Sequence, residues 1–118
     1  MWEGIDKRRF PRVHFQCQVI VRSKGHPEIF STQTENIGVG GTCVILEKGL
    51  GLFTEVEVEI VLSDKNPSLV SEGKVVWVVK HAGKQNYFDT GIEFVNLKQK
   101  DKERINSLVQ QIVTSIDN

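Results

Sequence analysis

Between Glu55 and Leu62 polar and apolar residues alternate almost without fault. Glu55, Glu57, Glu59 and Val61 stand on one side, and Val56, Val58, Ile60 and Leu62 on the other. Successive side chains of an extended strand point to opposite faces, so this segment buries one face and wets an acidic one. The rest of the chain repeats the theme less cleanly. Val13 to Arg22 alternates with Val13, Phe15, Cys17, Val19 and Val21 inward. Ile29 to Glu35 reads as a more polar strand, an edge candidate, and Thr42 to Leu46 as an apolar one. Leu69 to Val79 is a long strand, apolar on both faces from Val75 onward. Tyr87 to Val95 is the last, with Phe88, Thr90, Ile92 and Phe94 on one face. Turn signals separate them at Lys24-Gly25-His26-Pro27, at residues 38–41, at Ser63 to Pro67 and at Lys80 to Asn86. Six strands joined by tight turns predict an antiparallel barrel or sandwich.

The period changes at the end of the chain. Ile105, Leu108, Val109, Ile112, Val113 and Ile116 form one stripe at helical spacing, on a helix running from about residue 98 to 116. Lys102, Glu103, Asn106, Gln110 and Asp117 occupy the opposite face. The stripe predicts a helix packed on the open end of a barrel. Its length also suits a partner or dimer surface, so the expected state is a monomer or a homodimer.

With 118 residues there is length for one domain and one core, with no linker or repeat to divide it. Fifteen basic residues balance fifteen acidic ones, so long-range attraction to nucleic acid or an anionic membrane is not expected. No apolar run has the length of a membrane helix, the start does not read as a signal peptide, and a cytoplasmic location is expected. Cys17 and Cys43 lie in apolar, strand-like segments and are expected as buried thiols without a disulfide. His14, His26 and His81 are scattered, so no metal site is expected. No nucleophile–base or paired-carboxylate arrangement stands out, and no enzyme activity is expected.

Two short segments carry chemistry. Lys7-Arg8-Arg9-Phe10-Pro11-Arg12 is the densest basic cluster, in a stretch, residues 1–12, that reads as a mobile arm. Asn36-Ile37-Gly38-Val39-Gly40-Gly41 is a glycine-rich turn, and the hairpin between the two can bring them together. Guanidinium groups grip phosphates and the O6/N7 edge of guanine in bidentate fashion. Glycines let backbone N–H groups approach a ligand closely. The pair suggests a site for an anionic purine nucleotide. It does not match a phosphate-binding P-loop or a dinucleotide fingerprint, because no Gly-Lys-Ser/Thr and no helix follow the glycines.

Arg8 and Arg12 fit an Arg-x-x-x-Arg pattern, and Asn36 and Gly41 fit most of an Asp/Asn-x-Ser-x-x-Gly pattern. In this order, and with Asp89-Thr90-Gly91-Ile92-Glu93-Phe94-Val95 and the helical tail following, the chain resembles the PilZ domain, a bacterial receptor module for the second messenger cyclic di-GMP. The resemblance implies a six-stranded antiparallel β-barrel with a C-terminal α-helix over residues 13–118. It implies signal transduction by a cyclic di-GMP receptor or adaptor with an unidentified protein partner, and the arm is expected to order over the ligand. The alternative is a protein-interaction domain of the same fold that binds no nucleotide.

The resemblance assigns ligand contacts to Arg8, Arg12, Asn36, Gly38 and Gly41; Arg9 is expected to assist, with Lys7 and Trp77 as weaker candidates. Lysine does not reproduce the planar contacts of arginine. Asn36 can accept from a guanine N–H or donate to O6, and it can also cap its own turn. At Gly41 the turn requires either a positive φ or a close backbone approach. Gly38 is the departure, because the family has serine there. The missing hydroxyl is expected to weaken binding by roughly 0.5–1.5 kcal/mol. Trp77 shares strand parity with Val75 and Val79, and core packing is its expected role.

Overall fold

The alternating segment forms a strand whose buried positions are Val56, Val58 and Ile60, each without solvent exposure. A computed structural model describes residues 17–25, 28–62, 67–83 and 86–117, with backbone alone for residue 35 and for 112–117. The elements are β1 (Gln18–Ser23), β2 (Ile29–Gly38), β3 (Gly41–Leu46), β4 (Glu55–Val61), β5 (Leu69–Lys80), β6 (Phe88–Val95) and α1 (Gln99–Asp117). The strands close into an antiparallel barrel in the order β1-β2-β3-β6-β5-β4. Closure removes every sheet edge. The expectation of β2 as an edge is therefore corrected, since it pairs with β1 on one side and β3 on the other. Val13 to Gln16, the expected start of the first strand, lie outside the described residues.

The barrel interior is apolar. Val19, Val21, Ile37, Val44, Leu46, Ile60, Leu69, Val75 and Ile92 are at most 1% exposed. Ile105 and Val109 of α1 join the same core, so the helix stripe, where its side chains are described, is turned onto the barrel. The carboxylate of Asp101 is buried in the first turn of α1, where the helix dipole favours a negative charge. On the wet outer face of β4, Glu59 accepts from Ser68 at 2.7 Å and from Arg22 at 3.1 Å. These bonds, that from Ser68 first, hold its carboxyl below the usual range.

Both cysteines are free and buried, as the sequence predicts. Burial pushes the Cys17 thiol up to about 11, which leaves it neutral and unreactive near pH 7.

Two irregularities interrupt the ladders. On β2 the register with β3 shifts between Thr34 and Asn36, leaving Glu35 as an extra residue. On β5 the register with β6 shifts between Val75 and Trp77, leaving Val76 extra. Each is a β-bulge, which turns the strand beyond it through one position of the side-chain alternation. Val75 is therefore buried and Val78 packs on the core, while Trp77 and Val79 are 38% and 57% exposed. The expectation that Trp77 shares a face with Val75 and packs in the core is overturned by this bulge.

Candidate functional site

The bulge on β2 has the matching effect. Thr34 is fully buried inside the barrel, and an unbroken strand would put Asn36 inside as well. With Glu35 inserted, Ile37 goes inward without exposure and Asn36 faces out. Asn36 pairs with Cys43, Cys43 with Gly91, and Gly91 with Trp77. The two bulges thus bring Asn36 and Trp77 to the two ends of one row on the outer face of β2, β3, β6 and β5. Sequence reasoning named both residues. It had no means of seeing that they share a face.

Small residues pave this face. The next row runs Gly38, Gly41, Glu93 and Lys74. A Cβ built on Gly91 falls 2.2 Å from Trp77 Nε1, so the indole lies over that glycine. The absence of a side chain at Gly91 is what seats the tryptophan, and sequence reasoning missed this residue. The signal was available in the strand Asp89-Thr90-Gly91, because glycine inside a strand marks a close approach.

Gly38 and Gly41 close the β2–β3 hairpin as a pair, with only Val39 and Gly40 in the turn. The expected four-residue turn at 38–41 is thus shorter, and β2 runs three residues past its expected end at Glu35. Gly41 does not have a positive φ. A Cβ there would fall 2.2 Å from the carbonyl oxygen of Ile92, so its requirement is close approach to the neighbouring backbone.

Charge on the described part of the face is not suited to an anion. The rows flanking Asn36 and Trp77 carry the carboxylates of Glu93 and Asp89 against the ammonium of Lys74. Asp89 is held by His81, Nδ1 to Oδ1 at 2.6 Å. The positive charge of the sequence is concentrated elsewhere. Lys7, Arg8, Arg9 and Arg12 supply the densest cluster, and they lie outside the described residues. A recess of about 630 Å³ is lined by Val39, Phe94, Leu97 and Lys102 beside the start of α1. Among the described residues no group of histidine, cysteine and carboxylate side chains is arranged to hold a metal ion. No helix there is long and apolar enough to cross a membrane.

Comparison with known proteins matches this architecture. The PilZ domain family matches residues 6–111. Among solved structures, the Bacillus subtilis inhibitor of motility MotI/DgrA superposes with a TM-score of 0.77 at 17% identity, over 93% of this chain and 53% of that one. The K. pneumonia MrkH–c-di-GMP complex gives 0.78 at 15% identity, over 96% and 55%. The PilZ domain of Escherichia coli YcgR with c-di-GMP gives 0.71 at 13% identity, over 96% and 99%. At these identities the superpositions show a shared fold. The chain spans about half the length of the MotI and MrkH chains and nearly all of the YcgR domain. No curated protein matches it in sequence.

Proposed function

This chain belongs to the PilZ domain family, and on that premise we propose that it is a cyclic di-GMP receptor that passes the ligand state to a protein partner. One observation carries the reading: two separate bulges turn Asn36 and Trp77 onto the same row of a face paved with glycine. That row offers a hydrogen-bonding amide at one end and an aromatic plane at the other. Between them Gly91 lets the indole lie close against the sheet, which leaves a flat aromatic surface on which a guanine can stack. MrkH and YcgR are described as complexes with c-di-GMP, which supports the same ligand here.

Arg8 and Arg12 supply the phosphate contacts, assisted by Arg9 and, less directly, Lys7. The excess of carboxylates at Glu93 and Asp89 gives these residues a reason to approach, because an anion binds there only with added cations. The arm of residues 1–12 orders over the nucleotide and changes the surface that a partner sees. The protein acts by binding and not by catalysis, in the cytoplasm, where its free thiols persist.

Calorimetric titration with cyclic di-GMP tests the receptor reading. Binding in the micromolar range or tighter is expected. No heat and no thermal stabilisation would show that Gly38 has disabled the site, and would leave a protein-interaction domain of the same fold. Limited proteolysis tests the arm: cleavage within residues 1–12 slows when cyclic di-GMP is added, and equal cutting with and without ligand refutes ordering.

A further inference from the structure

Two threonines sit where the barrel interior has no need of a hydroxyl. Thr34 on β2 and Thr42 on β3 are both fully buried, among neighbours that are mostly valine, isoleucine and leucine. Valine fills the same volume, so packing does not explain the oxygen atoms. Their partners do. The two hydroxyls contact each other. The carbonyl oxygen of Asn36 lies 2.6 Å from Thr34 Oγ1 and 2.7 Å from Thr42 Oγ1. Thr34 Oγ1 also lies 3.1 Å from the Cys43 carbonyl. The hydroxyls thus span the bulge and bind the main chain of the pair, Asn36 and Cys43, at which the shifted register begins.

We propose that Thr34 and Thr42 are positioning residues for the ligand face: their hydroxyls hold the β2 bulge, and the bulge is what turns the Asn36 side chain outward. The inference rests on the receptor reading for its ligand, but its structural half stands on the register alone. Without the hydroxyls the Asn36 carbonyl loses two close polar neighbours that reach it from fully buried positions, a costly change. The strand can relieve it by expelling the extra residue. That slip would carry the Asn36 side chain inward and Ile37 outward, because the side-chain alternation has a period of two.

The test combines Thr34→Val, Thr34→Ser and Asn36→Ala in calorimetric titrations with cyclic di-GMP, at a temperature where thermal melts show every variant folded. Asn36→Ala and Thr34→Val are each expected to weaken binding about fivefold, the worth of one ordinary hydrogen bond. Their combination should weaken it no further, because the threonine acts through Asn36. Thr34→Ser, which keeps the hydroxyl, should bind within about twofold of wild type. Unchanged binding in Thr34→Val overturns the proposal, as does a double variant whose losses multiply in full. Interstrand amide contacts in NMR spectra read the bulge independently of the ligand. The Asn36–Cys43 pairing is expected to be lost in Thr34→Val and kept in Thr34→Ser. If the wild-type protein gives no heat with cyclic di-GMP, the receptor reading fails while the spectra still decide the bulge. Retention of that pairing in Thr34→Val then overturns the structural half too.

Discussion

Gly41→Ala is expected to lower the unfolding free energy by about 3 kcal/mol, with a fall in Tm of about 10 °C, in the absence of any ligand. The added Cβ would lie 2.2 Å from the carbonyl oxygen of Ile92. That atom is main chain in the adjoining strand and cannot rotate away as a side chain can. The β3 and β6 backbones would have to part at the pair Gly41 and Glu93, and the ladder bonds beside it would lengthen. A fall of this size is a large share of the stability of a domain of this kind. Gly51→Ala is the control, since its Cβ would meet only Thr54 Oγ1, at 3.5 Å, in ordinary contact. Its expected change is below about 0.5 kcal/mol. Urea denaturation of both variants measures the difference. A Gly41→Ala midpoint equal to wild type would show that the two strands are held less closely than the geometry states. The glycine proposed to line the ligand face is thus required by the fold itself.

The strands of this barrel were legible wherever the alternation is unbroken. Glu55 to Val61 is the clearest case, because its two faces differ so sharply in polarity. Legibility failed at the two bulges, and for one physical reason. A bulge changes which face a residue takes without changing which residues are apolar, so Val75, Val76, Trp77, Val78 and Val79 carry no mark of where the phase turns over. At β2 the mark was present but unreadable. Thr34 and Thr42 are eight residues apart, and their meeting in the interior follows only once the hairpin has closed. The short turn at Val39–Gly40 was hidden by its surroundings, since four residues rich in glycine do not say which two make the bend. Asn36, Gly41 and Trp77 were named from the sequence; the row that joins Asn36 to Trp77 belongs to the register alone.

Arg8→Ala combined with Arg12→Ala is expected to weaken cyclic di-GMP binding at least about a hundredfold, the largest effect on function of any change considered. A hydrogen bond to a charged group contributes about 1.5–3 kcal/mol, and two such losses together exceed the 2.8 kcal/mol or so that a hundredfold represents. The described face makes the dependence steeper. Glu93 and Asp89 outnumber Lys74 there, so phosphates left without the arginines meet a net negative surface. Replacing both arginines by lysine keeps the charge but not the planar fork, and is expected to recover less than a tenth of the wild-type affinity. Raising the salt concentration should weaken the wild type more than the alanine variant, because only the wild type retains the arginine–phosphate attraction. Ligand-free Tm is expected to move by no more than about 2 °C in either variant, as for most exchanges of charged side chains outside a core. Calorimetry and thermal melts on the same preparations separate these outcomes. Wild-type affinity in the alanine variant would remove the arm from the site and leave the Asn36–Trp77 row to bind the nucleotide without it.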